Sequence, residues 1–435
     1  MFRPTGFADL AGRRVGVFGY GVEGRSAAAR LALVGADVVI VDDAAGRGED
    51  VLVSAAGGHE ALLGCEVVLK SPGVPRRRDD VADLEARGVT VTSALNLWLH
   101  DADRARVVAV TGTKGKSTTT SLVTFFLRCL GEVAQSLGNI GRPPYDPGVD
   151  TSSGWLIVEV SSFQCVDIDV APAHVVVTSL GSDHLDWHGN HEQYVADKLS
   201  LTRAPGEHGT WVADTPSLRA ELHQLSGSVT YVAPDDSGLA AHLNLLGRHN
   251  DLNVALALAL CASLTGRTVG EVRAAVLERA SQYTPLRGRL SLVAVDAGVR
   301  YVDDGLATSA LPVVAALELF VDEPLALLAG GYDRGVDYAE LVAALARRDV
   351  PTMVVAMGPA GSRLAAALGV QAPHVVVSQA SSMDSAVSIA RAFVTTRGVV
   401  LLSPGAPSFD AYRDWEERSD DFVRAVRESF GPSAR

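Results

Sequence analysis

Cysteine is scarce in this sequence. The four cysteines, Cys65, Cys129, Cys165 and Cys261, are widely separated and form no CxxC pair. A zinc knuckle and a dithiol redox centre both require closely spaced pairs of cysteines, so this spacing indicates neither of them. We therefore predict four free thiols that are buried in the fold.

Positive charge is also in deficit. The chain carries 38 Lys and Arg against 51 Asp and Glu, which gives a formal net charge of -13. Binding to a nucleic-acid backbone requires a concentrated basic face, so this balance disfavours a nucleic-acid partner. The short run Arg76-Arg77-Arg78 is predicted to be a solvated loop.

Long apolar runs are lacking as well. No segment reaches the roughly 18 uninterrupted apolar residues of a membrane span. The first nine residues lack the charged region and apolar core of a signal peptide. We expect a cytoplasmic, monomeric protein without membrane insertion.

Short β-branched runs alternate with helical patterns along the whole chain. They begin at or near Val15, Asp37, Glu66, Arg106, Trp155, His174, Val299, Leu325, Met353 and Val399. This alternation predicts an α/β protein built on doubly wound, largely parallel sheets. At roughly 150 residues per domain, the length of 435 residues suggests about three domains.

The strongest local pattern is the segment TGTKGKST at residues 111–118, which stands between an apolar strand and an apolar helical run. A glycine loop in this position can turn N–H groups toward phosphates, while a lysine and a magnesium-binding hydroxyl neutralise their charge. Val110 occupies the place where the strict pattern has glycine, so the loop is a shortened variant. It predicts a phosphate site formed by Gly112, Thr113, Lys114, Gly115, Lys116, Ser117 and Thr118.

Two further segments accompany this loop, GNIG at 138–141 and EVSSFQ at 159–164. Together the three resemble the Mur ligases, whose relatives include the folylpolyglutamate synthetases, and EVSSFQ is similar to a motif of the glutamate-adding members. The resemblance implies ATP-dependent, ADP-forming ligation of glutamate to UDP-N-acetylmuramoyl-L-alanine through an acyl phosphate, in peptidoglycan precursor synthesis.

The same resemblance implies a division into three domains. A Rossmann-like domain at 1–103 would bind the UDP substrate, and a P-loop ATPase-like domain at 104–287, with a mostly parallel sheet, would bind ATP. A second Rossmann-like domain at 288–435 would bind glutamate and part of the nucleotide.

A magnesium centre with two ions is also implied by the resemblance. Its ligands would be Ser117, Glu159, His184 and Lys198, and Lys116 would act in catalysis together with the last three. Lys198 would be N6-carboxylated, because an ammonium group repels a divalent cation whereas a carbamate offers it oxygen.

Without the resemblance, blander interpretations of these residues stand open. Glu159 could be an exposed strand-end carboxylate without a role, and Lys198 could be a surface lysine paired with Asp197. The spacing of His184 and His188 is that of a zinc helix, but the HExxH frame is missing.

Four residues in later segments are implied to contact the nucleotide: Asn250, Asn253, Arg289 and Asp304. Asn250 and Asn253 lie in GRHNDLN, which resembles the family's G-x-HN-x-x-N segment. For Asn250 a helix N-cap is the competing explanation. Gly288 stands where the family usually has histidine before Arg289.

The N-terminal sequence GYGVEG satisfies a dinucleotide-binding pattern with Gly19, Gly21 and Gly24, and Asp42 ends the next strand. Alone, this pattern would suggest an NAD-dependent oxidoreductase. The Mur resemblance instead implies that these residues bind the UDP substrate, together with Ser71, Gly73 and Asn139.

Two segments depart from the pattern of the glutamate-adding ligases. DGLATS at 304–309 replaces DSKATN, and SPGAPSFDAY at 403–412 replaces an SPACASFDQF-type sequence. The changes resemble a subgroup that adds L-glutamate and relies on a separate epimerase, whereas neutral drift in a D-glutamate ligase is the alternative. The glutamate site is implied to contain Thr308, Arg334, Ser408 and Trp415, with the Arg334 guanidinium suited to a carboxylate.

Two more distant interpretations are a folylpolyglutamate synthetase and a noncatalytic nucleotide-binding regulator. The N-terminal GYGVEG region and the DRG segment at 333–335 disfavour the first. Joint retention of Lys116, Glu159, His184 and Lys198 disfavours the second.

Overall fold

The computed structural model of the protein describes residues 2–430, apart from the side chain of Asp186. The chain forms two compact units. One contains the residues up to Leu239 together with Asp251–Ala280, and the other contains Ala240–Asn250 and the residues from Ser281 onward.

The first unit begins with a five-stranded parallel sheet whose strand order is β3-β2-β1-β4-β5. The chain reverses its winding at β1, and open α/β sheets bind ligands at such a switch point, beyond the carboxyl ends of the strands. The elements are β1 (Arg14–Phe18), α1 (Val22–Val34), β2 (Asp37–Asp42), β3 (Val51–Val53), α2 (Gly58–Leu63), β4 (Val67–Lys70), α3 (Asp79–Ala86), β5 (Thr90–Thr92) and α4 (Ala94–Asp101).

A six-stranded parallel sheet follows in the same unit, with the order β11-β10-β9-β6-β8-β7. Here the switch point is β6, which lies between β9 and β8. The elements of this segment are β6 (Val107–Thr111), α5 (Lys116–Cys129), β7 (Ala134–Gly138), β8 (Trp155–Glu159), α6 (Ser162–Cys165), β9 (His174–Val177), α7 (Leu185–His188), α8 (His191–Arg203), β10 (Gly209–Ala213), α9 (Pro216–Ala220), β11 (Ser228–Val232), α11 (His249–Thr265) and α12 (Val269–Leu277). The short helix α10 (Leu239–His242), which precedes α11, belongs largely to the second unit.

The second unit contains a six-stranded sheet with the order β12-β13-β17-β14-β15-β16, in which only the β12–β13 pair is antiparallel. Its elements are β12 (Ser291–Asp296), β13 (Val299–Asp303), α13 (Ala310–Leu317), β14 (Leu325–Gly330), α14 (Ala339–Ala346), β15 (Thr352–Met357), α15 (Gly358–Gln371), β16 (Val376–Ala380), α16 (Met383–Phe393), β17 (Gly398–Leu402) and α17 (Trp415–Ser429).

The central strands of the two six-stranded sheets are almost entirely apolar. Every residue of β6, β14 and β17 is buried. Parallel strands covered by helices on both faces show such continuous apolar runs, because neither face meets water. Polar side chains are therefore concentrated in the loops at the strand ends.

The predicted α/β class with largely parallel sheets is confirmed, and the four cysteines are free and buried as predicted. Each segment assigned to a domain contains its own sheet, while the boundaries after residues 103 and 287 stay predictions. Within the described residues, no single helix is long and apolar enough to cross a membrane. The pair α11 and α12 reaches that length and hydropathy only together, with a bend of 112°.

Candidate active site at the phosphate loop

The TGTKGKST loop leaves the carboxyl end of β6 and enters α5. Gly112 has a φ of +141° and Gly115, the N-cap of α5, has a φ of +87°. A Cβ on Gly112 would lie 2.1 Å from Thr178 Oγ1, and one on Gly115 would lie 2.5 Å from Asn253 Oδ1. Glycine is required at both positions because neither the backbone conformation nor the space admits a side chain.

The loop is held from one side by residues that follow β9. Thr113 N donates to Ser179 O at 3.0 Å, and Lys114 N donates to Ser179 Oγ at 2.8 Å. The hydroxyl groups of Thr113 and Tyr194 are 2.8 Å apart, which adds a contact from α8. Sequence reasoning missed Ser179 and Tyr194. The signal for Ser179 was the apolar run of β9, whose carboxyl end lies beside that of β6.

Two lysines converge on one carbonyl of this loop. The Nζ atoms of Lys116 and Lys198 each lie 2.9 Å from Gly112 O. Lys198 is only 2% exposed. Desolvation, followed by the charge of Lys116, lowers the pKa of Lys198 to about 7. The alternative of a surface lysine paired with Asp197 is therefore wrong.

Glu159 ends β8, beside the loop strand β6. Its side chain is buried, with 1% exposure, so the alternative of an exposed carboxylate is wrong. Asn139 Nδ2 donates to Oε1 at 2.9 Å, whereas Oε2 is buried without a hydrogen-bond partner among the described residues. Leaving such an atom unsatisfied costs about 1–3 kcal/mol, and more for a charged group. A hard cation would satisfy it, so the carboxylate fits a magnesium ligand.

Two other predicted residues lie on the helix side of the loop. Ser117 is buried in the first turn of α5, where its hydroxyl could serve a metal ion. Asn253 Oδ1 accepts a hydrogen bond from Thr119 Oγ1 at 3.2 Å, which brings α11 against α5. The structure thus brings Asn253 to the loop.

His184 differs from the other predicted metal ligands. It has a φ of +50°, its side chain is half exposed, and its ring centroid lies 4.8 Å from that of Phe163. Across residues 2–430 no three His, Cys, Asp or Glu side chains form a metal-binding group. Metal binding by His184 stays a prediction.

The arginine run at 76–78 lies in a loop with Arg77 exposed, as predicted, but all three guanidinium groups form ion pairs. Arg77 forms two hydrogen bonds to Asp197, at 2.9 and 2.6 Å. Arg76 pairs with Glu85, and Arg78 pairs with Asp43. The charge balance gave no sign of these pairs, whose carboxylate partners lie 9 to 120 residues away in sequence.

Asp197 is the centre of a buried polar cluster. It is 4% exposed, and His188 Nδ1 donates to its Oδ2 at 2.7 Å. His188 Nε2 lies 3.0 Å from Ser162 Oγ, which belongs to the EVSSFQ segment. Burial by itself would raise the pKa of Asp197, but hydrogen bonds from Arg77, His188 and Gln193 outweigh it and hold the pKa below its usual value.

Six of the predicted UDP-substrate residues lie at the switch point of the first sheet, whereas Asn139 contacts Glu159 beside the phosphate loop. A Cβ on Gly24 would lie 1.9 Å from Gly19 O, so glycine permits the close approach of α1 to β1. Asp42 accepts from Tyr20 N at 2.6 Å, and Ser71 Oγ donates to Gly19 O at 2.6 Å. Four of the predicted residues thus meet in one place. Gly21 and Gly73 lie in the same two loops and are exposed.

In the second unit, residues that were predicted to bind the glutamate substrate or the nucleotide lie near the carboxyl ends of β13, β14 and β17. Ser403 Oγ donates to Asp304 Oδ2 at 2.7 Å, and burial raises the pKa of Asp304 to about 7. Arg334 Nη2 donates to Thr308 O at 3.1 Å. Ser408 is buried in the adjoining loop.

Three further positions of the second unit were singled out in the sequence: Asn250, Gly288 and Arg289. Asn250 is not the N-cap of α11, because that helix begins at His249, and its side chain instead donates to Leu246 O at 2.7 Å. A Cβ on Gly288 would lie 2.5 Å from the ring of Trp415, which excludes the family's histidine there. Arg289, the next residue, is exposed.

Arg418 was missed by the sequence analysis and lies between the two divergent segments. It is 3% exposed, and it donates to Ala406 O and Gly305 O, both at 3.0 Å. Burial lowers its pKa to about 10. It lies 113 residues from Gly305 in sequence, and nothing in the sequence of α17 indicated that contact.

Comparisons with known proteins agree with this geometry. The family model for the Mur ligase middle domain matches residues 110–231. A UDP-N-acetylmuramoyl-L-alanine–L-glutamate ligase of Micromonospora sp. is 38% identical over 98% of this chain and 99% of that protein. A UDP-N-acetylmuramoylalanine–D-glutamate ligase of Shouchella clausii is 33% identical over 98% of this chain and 99% of that protein.

The fold is likewise shared with a solved structure. MurF ligase of Thermotoga maritima in complex with ADP superposes with a TM-score of 0.55 at 16% identity, covering 98% of this chain and 97% of that one. The similarity to the glutamate ligases extends over nearly the whole sequence, phosphate loop and divergent segments included. The chain therefore belongs to the Mur ligase family.

Proposed function

We propose that this protein joins glutamate to UDP-N-acetylmuramoyl-L-alanine at the expense of ATP, releasing ADP and phosphate, in cytoplasmic peptidoglycan precursor synthesis. The observation that carries the proposal is the buried Glu159 carboxylate beside the phosphate loop, with one oxygen left for a cation. The relatives named as glutamate ligases supply the reaction.

In the first step, a carboxylate oxygen of the alanyl substrate attacks the γ-phosphorus of ATP and the bond to ADP breaks, which gives an acyl phosphate. Lys116 and the N–H groups of the loop balance the negative charge that accumulates on the phosphates. Glutamate's amine then attacks the acyl carbon, phosphate departs and the amine loses a proton. No covalent bond to the protein is required.

Magnesium, when bound, would supply positive charge to the phosphates. Two magnesium ions are expected. Their ligands would be Ser117, Glu159, His184 and an N6-carboxylated Lys198. The pKa of about 7 leaves a large share of Lys198 neutral at neutral pH. A neutral amine can attack carbon dioxide and lose a proton, which converts a competing cation into an anionic ligand.

The remaining assignments divide among the substrates. The loops with Gly19, Gly21, Gly24, Asp42, Ser71 and Gly73 would bind the UDP moiety, and Asn139 would contact the same substrate. Asn250, Asn253, Arg289 and Asp304 would contact the nucleotide of ATP. Thr308, Arg334, Ser408 and Trp415 would bind glutamate.

We propose L-glutamate as the amino acid added, with a separate epimerase acting on the product. The support is the pair of segments at 304–309 and 403–412, whose backbones are joined by Arg418. Moving the groups that pair with two carboxylates is what a change of enantiomer requires. The D-glutamate alternative has the Shouchella clausii relative in its favour.

The test is phosphate release by the purified chain with ATP, magnesium and UDP-N-acetylmuramoyl-L-alanine, with L- and D-glutamate in separate reactions. Release with L-glutamate alone supports the proposal, and release with D-glutamate alone assigns the other enantiomer. If neither enantiomer supports phosphate release, the assignment as a UDP-N-acetylmuramoyl-L-alanine–glutamate ligase is overturned. The alternatives of a folylpolyglutamate synthetase and a noncatalytic regulator then remain. Lys116→Ala is the blank for a contaminating ATPase.

A further inference from the structure

Arg77 joins two parts of the first unit that the proposed function uses for different substrates. It follows β4 by a few residues, in the loop that begins with the Ser71 and Gly73 assigned to the UDP moiety. Its partner Asp197 lies on α8, directly before Lys198. The contact spans 120 residues of sequence and consists of two parallel hydrogen bonds.

The partner of Arg77 is itself fixed by two other side chains. Asp197 accepts from His188 Nδ1 at 2.7 Å and from Gln193 Nε2 at 2.8 Å. His188 in turn contacts Ser162 of the EVSSFQ segment. A chain of contacts therefore connects the Arg77 loop to the helix that carries Lys198, whose Nζ bonds the phosphate loop at Gly112 O.

A bidentate pair of this kind fixes orientation as well as distance, because the planar guanidinium matches the two carboxylate oxygens. Asp197 is 4% exposed, while the Arg77 side chain is half exposed. The energy that this pair adds to folding is small when one partner faces water. Its effect is to set the direction of α8 relative to the loop.

We propose that Arg77 is a positioning residue that couples the loop for the UDP substrate to the phosphate loop, through Asp197 and α8. This proposal rests on the proposed function for the identity of the two ligands. The expected consequence is reciprocal coupling, in which each ligand strengthens the binding of the other by the same factor.

Removing Arg77 should leave the fold intact, because other contacts hold the same two parts together. Lys70 Nζ lies 2.8 Å from the buried Asp167, and Gln164 Nε2 donates to Glu23 at 2.8 Å. Arg78 provides a matched control. It stands next in the same loop, but its partners Asp43 and Asp80 lie in the N-terminal segment with it.

The experiment is calorimetric titration of the full chain with UDP-N-acetylmuramoyl-L-alanine, with and without magnesium and a nonhydrolysable ATP analogue. In the wild type the analogue should tighten binding about tenfold, within the usual range of coupling between sites. Arg77→Ala should reduce that factor to about two while leaving affinity without the analogue nearly unchanged. Arg77→Lys should give an intermediate factor, and Arg78→Ala the wild-type factor.

Three outcomes would overturn the proposal: a wild-type factor near one, an undiminished factor in Arg77→Ala, or equal weakening of that variant with and without the analogue, which indicates general damage. Failure of the proposed function is distinguishable. It would appear as intact, coupled binding of both ligands with no phosphate release when glutamate is added.

Discussion

Lys198 in the first unit and Arg418 in the second are both buried cations whose hydrogen bonds go to backbone carbonyls. Lys198 donates to Gly112 O, and Arg418 donates to Ala406 O and Gly305 O. Burial lowers the pKa of Lys198 to about 7 but that of Arg418 only to about 10. Near neutral pH the lysine can therefore lose its proton, whereas the arginine keeps its charge.

The difference in pKa indicates that one buried cation can react, whereas the other has a structural role. A neutral amine is a nucleophile, and its surroundings, with Lys116 on the same carbonyl, discourage its cationic form. A permanently charged, planar guanidinium can hydrogen-bond to two loop segments of the backbone at once. We infer that burial of a cation prepares a reaction in the first unit and fixes loop geometry in the second.

The largest effect is expected from replacing the titratable cation by a permanent one. Lys198→Arg should lower kcat for phosphate release by about 100-fold or more, because the guanidinium stays charged and cannot be carboxylated. Initial rates with saturating substrates would measure this. Near-wild-type kcat would show that loss of the proton from Lys198 is irrelevant, provided that circular dichroism shows a folded variant.

A second substitution concerns Glu159, the buried carboxylate beside the phosphate loop. Glu159→Gln keeps the shape of the side chain but removes the negative charge that a cation would balance. The magnesium concentration for half-maximal activity should rise by about tenfold or more. Magnesium titrations at fixed ATP would show it. An unchanged magnesium dependence would mean that the unpaired Oε2 has no part in metal binding.

In the second unit, Arg418 should tolerate exchange best where a charged donor to the Gly305 and Ala406 carbonyls is kept. Arg418→Met should raise KM for glutamate about tenfold, with little change in KM for the UDP substrate, because Gly305 and Ala406 lose their common donor. Arg418→Lys should be affected less. If Arg418→Met changes all KM values equally, the guanidinium supports the whole unit and not the two segments.

The smallest effect is a pH dependence of stability from Asp304. Its pKa is raised from 3.8 to about 7, so between these values the unfolded chain is ionised while the folded chain holds the proton. Its contribution to stability is therefore complete below pH 3.8 and is lost as pH rises to about 7. Asp304→Asn should remove this pH dependence, which amounts to about 2–3 kcal/mol between pH 5 and 7.5. Urea unfolding of both proteins at pH 5 and 7.5 would measure the difference. The same change in the free energy of unfolding between the two pH values in both proteins would contradict the prediction.

Much of the fold could be read from the sequence because parallel sheets leave a strong local signal. The apolar runs at Val107–Thr111 and Leu325–Gly330 are buried strands, as their composition predicts. The short edge strands β3 and β5 were not predicted, since three residues carry too little pattern.

The candidate site was predictable where its residues sit next to glycine loops or strand ends. The structure gathers Gly112, Lys116, Glu159 and Lys198 around one end of the central sheet. Arg77 and Arg418 were out of reach because their roles depend on Asp197 and Gly305, which lie 120 and 113 residues away in sequence, and a guanidinium gives no local sign of its acceptor. Roles that require a bound ligand, such as that of His184, stay predictions.

Gly112 has a consequence for how freely the site can vary. With a φ of +141° and the Thr178 hydroxyl 2.1 Å from any added Cβ, every substitution there must distort the loop. An inhibitor that draws its affinity from the Gly112 peptide group would rest on a position where escape mutations carry their own penalty. Resistance would have to arise elsewhere, at contacts that the protein can change without losing its loop.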